Sequence, residues 1–97
     1  HKKDLKNRAD YARITTLYAG LVLRCHQPGD RFHPAGRGVG KELRKWMNEA
    51  GIPPRQRAGL PLLAAGSEVL WVCGSGFAEG LAPDETTTQI LQMEQET

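Results

Sequence analysis

The segment HPAGRGVGKELRKW, residues 33–46, sets three glycines and four cationic side chains (Arg37, Lys41, Arg44, Lys45) beside Trp46. That composition suits phosphate binding, because backbone N–H groups with no flanking side chain can surround an anion. The nucleotide motifs nevertheless fail on named residues. A P-loop, G-x-x-x-x-G-K-[S/T], read back from Gly40-Lys41 finds Ala35 at the first glycine and Glu42 where a Mg²⁺-binding hydroxyl belongs. In the dinucleotide fingerprint G-x-G-x-x-G, the third glycine is replaced by Lys41 or, one frame on, by Leu43. A carboxylate at Glu42 would face the phosphates of a nucleotide, so the expected ligand is something other than a single nucleotide.

Other reactive types are sparse. Cys25 and Cys73 are the only cysteines, and with no secretory signal ahead of them they read as reduced thiols. Cys25, His26 and His33 form C-H-x6-H, which lacks the tight paired spacing of zinc sites. An autonomous small enzyme would have to work with His26, Asp30 and His33, among which no nucleophile–base spacing is visible. No catalytic, cofactor-binding or metal-binding residue is therefore assigned.

Charge carries more. The formal net charge is only +2, but residues 84–97 hold Asp84, Glu85, Glu94 and Glu96 and no cation, which leaves residues 1–83 at +6. Between residues 24 and 57, eight cations face three anions. A positive segment attracts polyanions, although a solvated surface with ordinary charge fluctuation is the plainer alternative. The candidate contacts are Arg31, Arg37, Lys41, Arg44, Lys45, Arg55 and Arg57.

These cations need a scaffold, and 97 residues allow one domain with one small core. No apolar run approaches the roughly 18 residues of a membrane span, and no apolar h-region follows the basic start HKKDLKNRADYAR. Lacking a start methionine, the chain is expected to be a piece of a longer protein. Residues 1–13 read as a linker or frayed segment, 14–83 as the domain and 84–97 as an acidic polar tail with a marginal helix near Gln89 to Gln95. A strand is expected at Leu21 to His26, paired with residues near Ile14 to Tyr18 across Ala19-Gly20 and ended by a Pro28-Gly29 turn. From Lys41 to Ala50 the period becomes helical, with Leu43, Trp46, Met47 and Ala50 on one stripe and Gly51 as the stop. Trp46 is then a core anchor, Phe32 packs, and Lys41, Arg44, Lys45 and Asn48 face outward, with Lys41 and Lys45 repelling at i, i+4. Pro54 opens a short turn from which Arg57 projects. Strands at Pro61 to Ala64 and Val69 to Cys73 form a hairpin through Gly66-Ser67, the second apolar on both faces and hence central. FAEGLA supplies a further short strand. The fold class is α+β, a small mixed sheet or sandwich-like core with one main amphipathic helix and long irregular connections.

From PGDRFHPAG through VLWVCG the residues resemble the C-terminal domain of bacterial tRNA(Ile)-lysidine synthetase. The resemblance rests on Arg24 before the Pro28-Gly29 turn, the Gly-rich lead into Lys41, Leu43, Arg44 and Lys45, the motif GIPPxxR at Gly51 to Arg57, and PLL with its hairpin at Pro61 to Gly74. It covers roughly residues 21–80 and departs from the family at Arg55, where an aromatic usually follows the proline pair.

The resemblance implies a cytoplasmic, ATP-dependent ligase that attaches lysine to the wobble cytidine of an isoleucine tRNA. ATP and Mg²⁺ would belong to an N-terminal domain with an S-G-G-x-D-S loop; the nearest stretch here, GSGF at Gly74 to Phe77, lacks the Asp-Ser. This piece is therefore expected to need no cofactor and to catalyse nothing alone. Its implied role is to hold tRNA, particularly the acceptor stem, on a fold shared with a domain of the phenylalanyl-tRNA synthetase β subunit. Double-stranded RNA is read largely through phosphate and 2′-OH contacts, which suits a cationic surface. The other implied partner is the N-terminal catalytic domain, and a homodimer stays open. The competing reading has the basic helix dock on another domain or subunit of the parent enzyme without touching RNA.

Overall fold

The central strand organises the molecule. In the computed structural model, which describes residues 7–36 and 39–94, strand β6 (Glu68–Val72) has Val69, Leu70, Trp71 and Val72 all buried. A strand apolar on both faces needs cover on each, and neighbours on both edges satisfy its backbone. One edge is taken by β5 (Leu62–Ala65), antiparallel, through the hairpin at Gly66 (φ +61°). The other edge is shared: β3 (Arg31–Phe32) pairs parallel at Glu68 and Val69, and β7 (Gly76–Phe77) pairs antiparallel at Trp71 and Val72. With β2 (Leu21–Arg24) outside β5 and β4 (Lys41–Glu42) outside β3, the sheet order is β2-β5-β6-β3-β4. The mixed sheet of the α+β expectation is thus present, built from short strands and carrying few helices.

Two local expectations are corrected. Residues near Ile14 to Tyr18 are not a strand: Tyr11–Leu17 is helix α1, and β2 pairs with β5 instead. The Asp10 side chain accepts from the Arg13 backbone N–H at 3.0 Å and caps the first turn, while Ile14 alone of the helix is buried. The marginal helix expected at Gln89 to Gln95 is likewise absent from the described part, where Ile90–Gln92 forms strand β8, antiparallel to β1 (Arg8–Asp10).

Segments read as a linker and as a tail therefore meet. The Asp10 N–H donates to the Leu81 carbonyl (2.9 Å), the Trp71 Nε1–H to Asn7 Oδ1 (3.0 Å), and Arg13 pairs with Asp84 at 2.9 Å. A lone two-stranded ribbon is marginal in water; these bonds fasten it to the core.

The core gathers Ile14, Phe32, Leu43, Trp46, Met47, Leu62, Leu70, Val72, Phe77 and Leu81, among others. Phe32 and Trp46 meet edge to face, with ring centroids 4.9 Å apart at 76°, the arrangement favoured by the ring quadrupoles. Both aromatics pack as expected. No helix of the described residues is long and apolar enough to cross a membrane.

Candidate nucleic-acid interface

Helix α2 (Leu43–Glu49) forms because Leu43, Trp46 and Met47, at i, i+3 and i+4, bury one stripe against the sheet. Its stop is a Schellman motif. Gly51, at φ +75°, donates to Asn48 O (3.2 Å) and Ile52 donates to Met47 O (3.1 Å). The opposite face presents Arg44, Lys45 and Asn48 to solvent.

The helix begins two residues later than its period suggests. Lys41 and Glu42 pair with Phe32 and Arg31 as strand β4, and the Leu43 N–H donates to the Asp30 carbonyl at 2.8 Å. Lys41 is therefore not one helical turn from Lys45, and the i, i+4 geometry from which their repulsion is inferred is absent. Lys41 Nζ instead reaches Glu49 Oε1 at 2.7 Å, tying β4 to the far end of α2.

Helix α3 (Pro54–Arg57) carries proline in its first turn, as expected. Arg57 does not project from it. Its Nε–H donates to Ile52 O (2.8 Å) and its Nη1–H to Asn48 Oδ1 (2.7 Å), so it buttresses the α2–α3 corner. Arg55 is exposed and makes no ion pair among the described residues. The residue where the family usually has an aromatic thus lies outside the core of this chain. Arg31 is exposed on β3, with Nη2 3.4 Å from Gly40 O, and Arg37 lies outside the described residues. The seven candidates divide accordingly. Arg44, Lys45 and Arg55 offer their charge outward, Arg31 is lightly held, and Lys41 and Arg57 brace the helices that present the others.

Beneath the N-terminal end of this face lies an ion pair, Arg24 with Asp30, that spacing along the sequence does not reveal. Asp30 is 1% exposed and receives both Nη atoms of Arg24, at 2.9 and 2.7 Å, plus the Gln27 N–H at 2.8 Å. Burial pushes its carboxyl up, but the guanidinium and the backbone N–H outweigh that and hold it below the usual carboxylate range. Arg24 also donates to Gly66 O (2.8 Å) and Cys25 O (2.9 Å). Asp30 is therefore ionised and committed to the fold, which removes it from the acid–base set. Above it a cleft of about 230 Å³ opens between the Pro28-Gly29 turn and the start of α2, lined by His26, Pro28, Gly29, Glu42 and Arg44. Only contacts across the folded sheet bring these residues together, so spacing along the chain carries no sign of the cleft.

Comparison with known proteins agrees with this architecture. The sequence profile of the TilS substrate C-terminal domain matches residues 21–93. The chain belongs to this family. Similar members are the tRNA(Ile)-lysidine synthases of Symbiobacterium thermophilum (40% identical over 73 residues, 75% of this chain and 15% of the relative), Dehalococcoides mccartyi (36%, 76% and 16%) and Caldanaerobacter subterraneus subsp. tengcongensis (34%, 91% and 20%). The chain thus spans no more than about a fifth of the length of these relatives. A crystal structure of a TilS C-terminal domain superimposes with a TM-score of 0.64, covering 91% of this chain and 70% of the other at 24% identity. The TilS C-terminal fold is the one this chain adopts.

Proposed function

We propose that this TilS C-terminal domain holds tRNA for a tRNA(Ile)-lysidine synthetase through its acceptor stem. The observation that carries the reading is the solvent face of α2: Arg44 and Lys45 lie opposite the buried Leu43–Trp46–Met47 stripe, with exposed Arg55 on the next helix. Nothing in the core needs these charges. A guanidinium or ammonium on a rigid helix gains by neutralising a phosphate and releasing its counterions, and such contacts fix register without reading bases.

In the parent enzyme the domain would act as a clamp. ATP-dependent lysine attachment in the cytoplasm, with ATP and Mg²⁺, would fall to the rest of the protein, and this domain's part is to keep the tRNA engaged while the wobble cytidine is modified. The docking alternative fits the surface less well. The exposed apolar side chains a protein partner would bury are scattered over Tyr11 and Leu17 on α1, Val22 and Leu23 on edge strand β2, Ile90 on β8 and Val39 ahead of β4, and none of them lies on the solvent face of α2.

Titration of the chain with an acceptor-stem RNA duplex at several salt concentrations tests the reading. Three to four neutralised phosphates give a slope of log K against log[salt] of about −3 to −4. A flat dependence, or no binding, sinks the phosphate grip.

A further inference from the structure

The cleft at the start of α2 contains a carboxylate that a pure phosphate grip does not explain. Glu42 precedes the helix but makes no side-chain capping bond. Its one ion pair among the described residues is with Arg44, whose Nη2 lies 3.9 Å from Oε1, beyond hydrogen-bond reach, and Arg31 stands opposite it across the β3–β4 pair with no hydrogen bond or ion pair between the two side chains. Its side chain is 38% exposed, so the carboxylate is accessible and keeps its accepting capacity.

The cleft walls are fixed. Gly29, at φ +86°, makes the turn on one side, and the Leu43 N–H bond to Asp30 O ties that turn to the helix start. At about 230 Å³ the cleft falls below the roughly 300–1,000 Å³ of small-molecule pockets, so it suits one group of a larger ligand. A phosphate there would meet Glu42 and be repelled. A neutral hydrogen-bond donor flanked by phosphates would be accepted by Glu42 while Arg44 takes the neighbouring charge. Along an RNA backbone the donor that recurs between phosphates is the ribose 2′-hydroxyl.

Resting on the RNA-holding function proposed above, we propose that this cleft takes the ribose edge of the bound strand, with Glu42 accepting from a 2′-hydroxyl, and so makes the domain select RNA. The minor-groove amine of guanine has the same donor chemistry and is separated by the test.

The 97-residue chain is titrated with an acceptor-stem RNA duplex, the same duplex carrying 2′-fluoro sugars, which keep the A-form but cannot donate, and the same duplex with inosine for guanosine. The native protein should bind the 2′-fluoro duplex about three- to ten-fold more weakly than RNA, the effect of one hydrogen bond, and the inosine duplex like RNA. Glu42→Ala should bring the RNA-to-fluoro ratio close to one, whatever loss of its negative charge does to overall affinity. Equal, salt-dependent binding of RNA and 2′-fluoro duplex by the native protein overturns this inference and leaves the phosphate grip standing. A loss confined to the inosine duplex also overturns it, in favour of base reading, and an unchanged ratio in a folded Glu42→Ala protein does the same. Failure to bind any duplex removes both readings.

Discussion

Arg24 and Asp30 form a two-pronged ion pair, Nη1 to Oδ2 at 2.9 Å and Nη2 to Oδ1 at 2.7 Å, with the carboxylate side chain only 2% exposed. The pair joins β2, the Pro28-Gly29 turn and, through Gly66 O, the β5–β6 hairpin. Removing the cation strands a buried charge, which costs far more than the net worth of the intact pair. Arg24→Ala is expected to lose roughly 3–5 kcal/mol in urea unfolding. A loss under about 1 kcal/mol would mean the carboxylate finds water or another donor.

Acid should unfold the domain through three carboxylates. Asp10 is lowered by the Arg13 N–H and the Thr87 hydroxyl, and Asp84 by Thr86 and Arg13. Asp30 is lowered by Arg24 and Gln27 against its burial. Each folded-state value lies below the unfolded one, so the stabilisation is complete above the unfolded carboxylate pKa of about 4 and fades as pH falls through the lowered values. The melting temperature should hold level from these groups between about pH 5 and 8 and drop below about pH 4. Melting that is insensitive to acid would contradict the assignment.

Trp46 is 7% exposed and set edge-on to Phe32. Trp46→Ala should cost roughly 3–5 kcal/mol of stability and, where the protein remains folded, leave the salt slope of RNA binding unaltered. A stable variant with lost RNA affinity would reassign the indole to base stacking.

The cations should separate by what they touch. Gln at Arg44, Lys45 and Arg55 together should leave the melting temperature within a few degrees and shrink the salt slope by about 2–3, since each lost phosphate contact removes nearly one. Lys41→Gln breaks a half-exposed pair with Glu49 and should cost about 0.2–1 kcal/mol of stability. Undiminished duplex binding by the folded triple variant would favour docking on another domain.

Sequence patterns were most legible where structure is local. The left-handed Gly51 stop, the Gly66-Ser67 hairpin, the stripe that buries Trp46 and the two-faced burial of β6 all follow from residues within a few positions. The helix at Tyr11–Leu17 escaped because Thr15 and Thr16 carry the branched side chains typical of strands, while its deciding signal was the Asp10 cap. Strand β8 escaped because its partner β1 lies some eighty residues away. Within the site, α2 and its exposed cations Arg44 and Lys45 were readable from period and charge. The pairing of Lys41 with Glu49, the return of Arg57 to Asn48 and the Arg24–Asp30 floor are long-side-chain contacts that tertiary structure alone brings about.

The β1–β8 ribbon sets Arg8 opposite Gln92 and Asp10 opposite Ile90 in antiparallel register, so the chain enters and leaves the domain side by side. Tension applied through the two ends would load the ribbon from its open end and peel its rungs one after another rather than shear them together. The fastening between ends and core would therefore yield first, with the Asn7–Trp71 and Asp10–Leu81 bonds parting before the strand pairing of the five-stranded path that carries the cationic helix is broken.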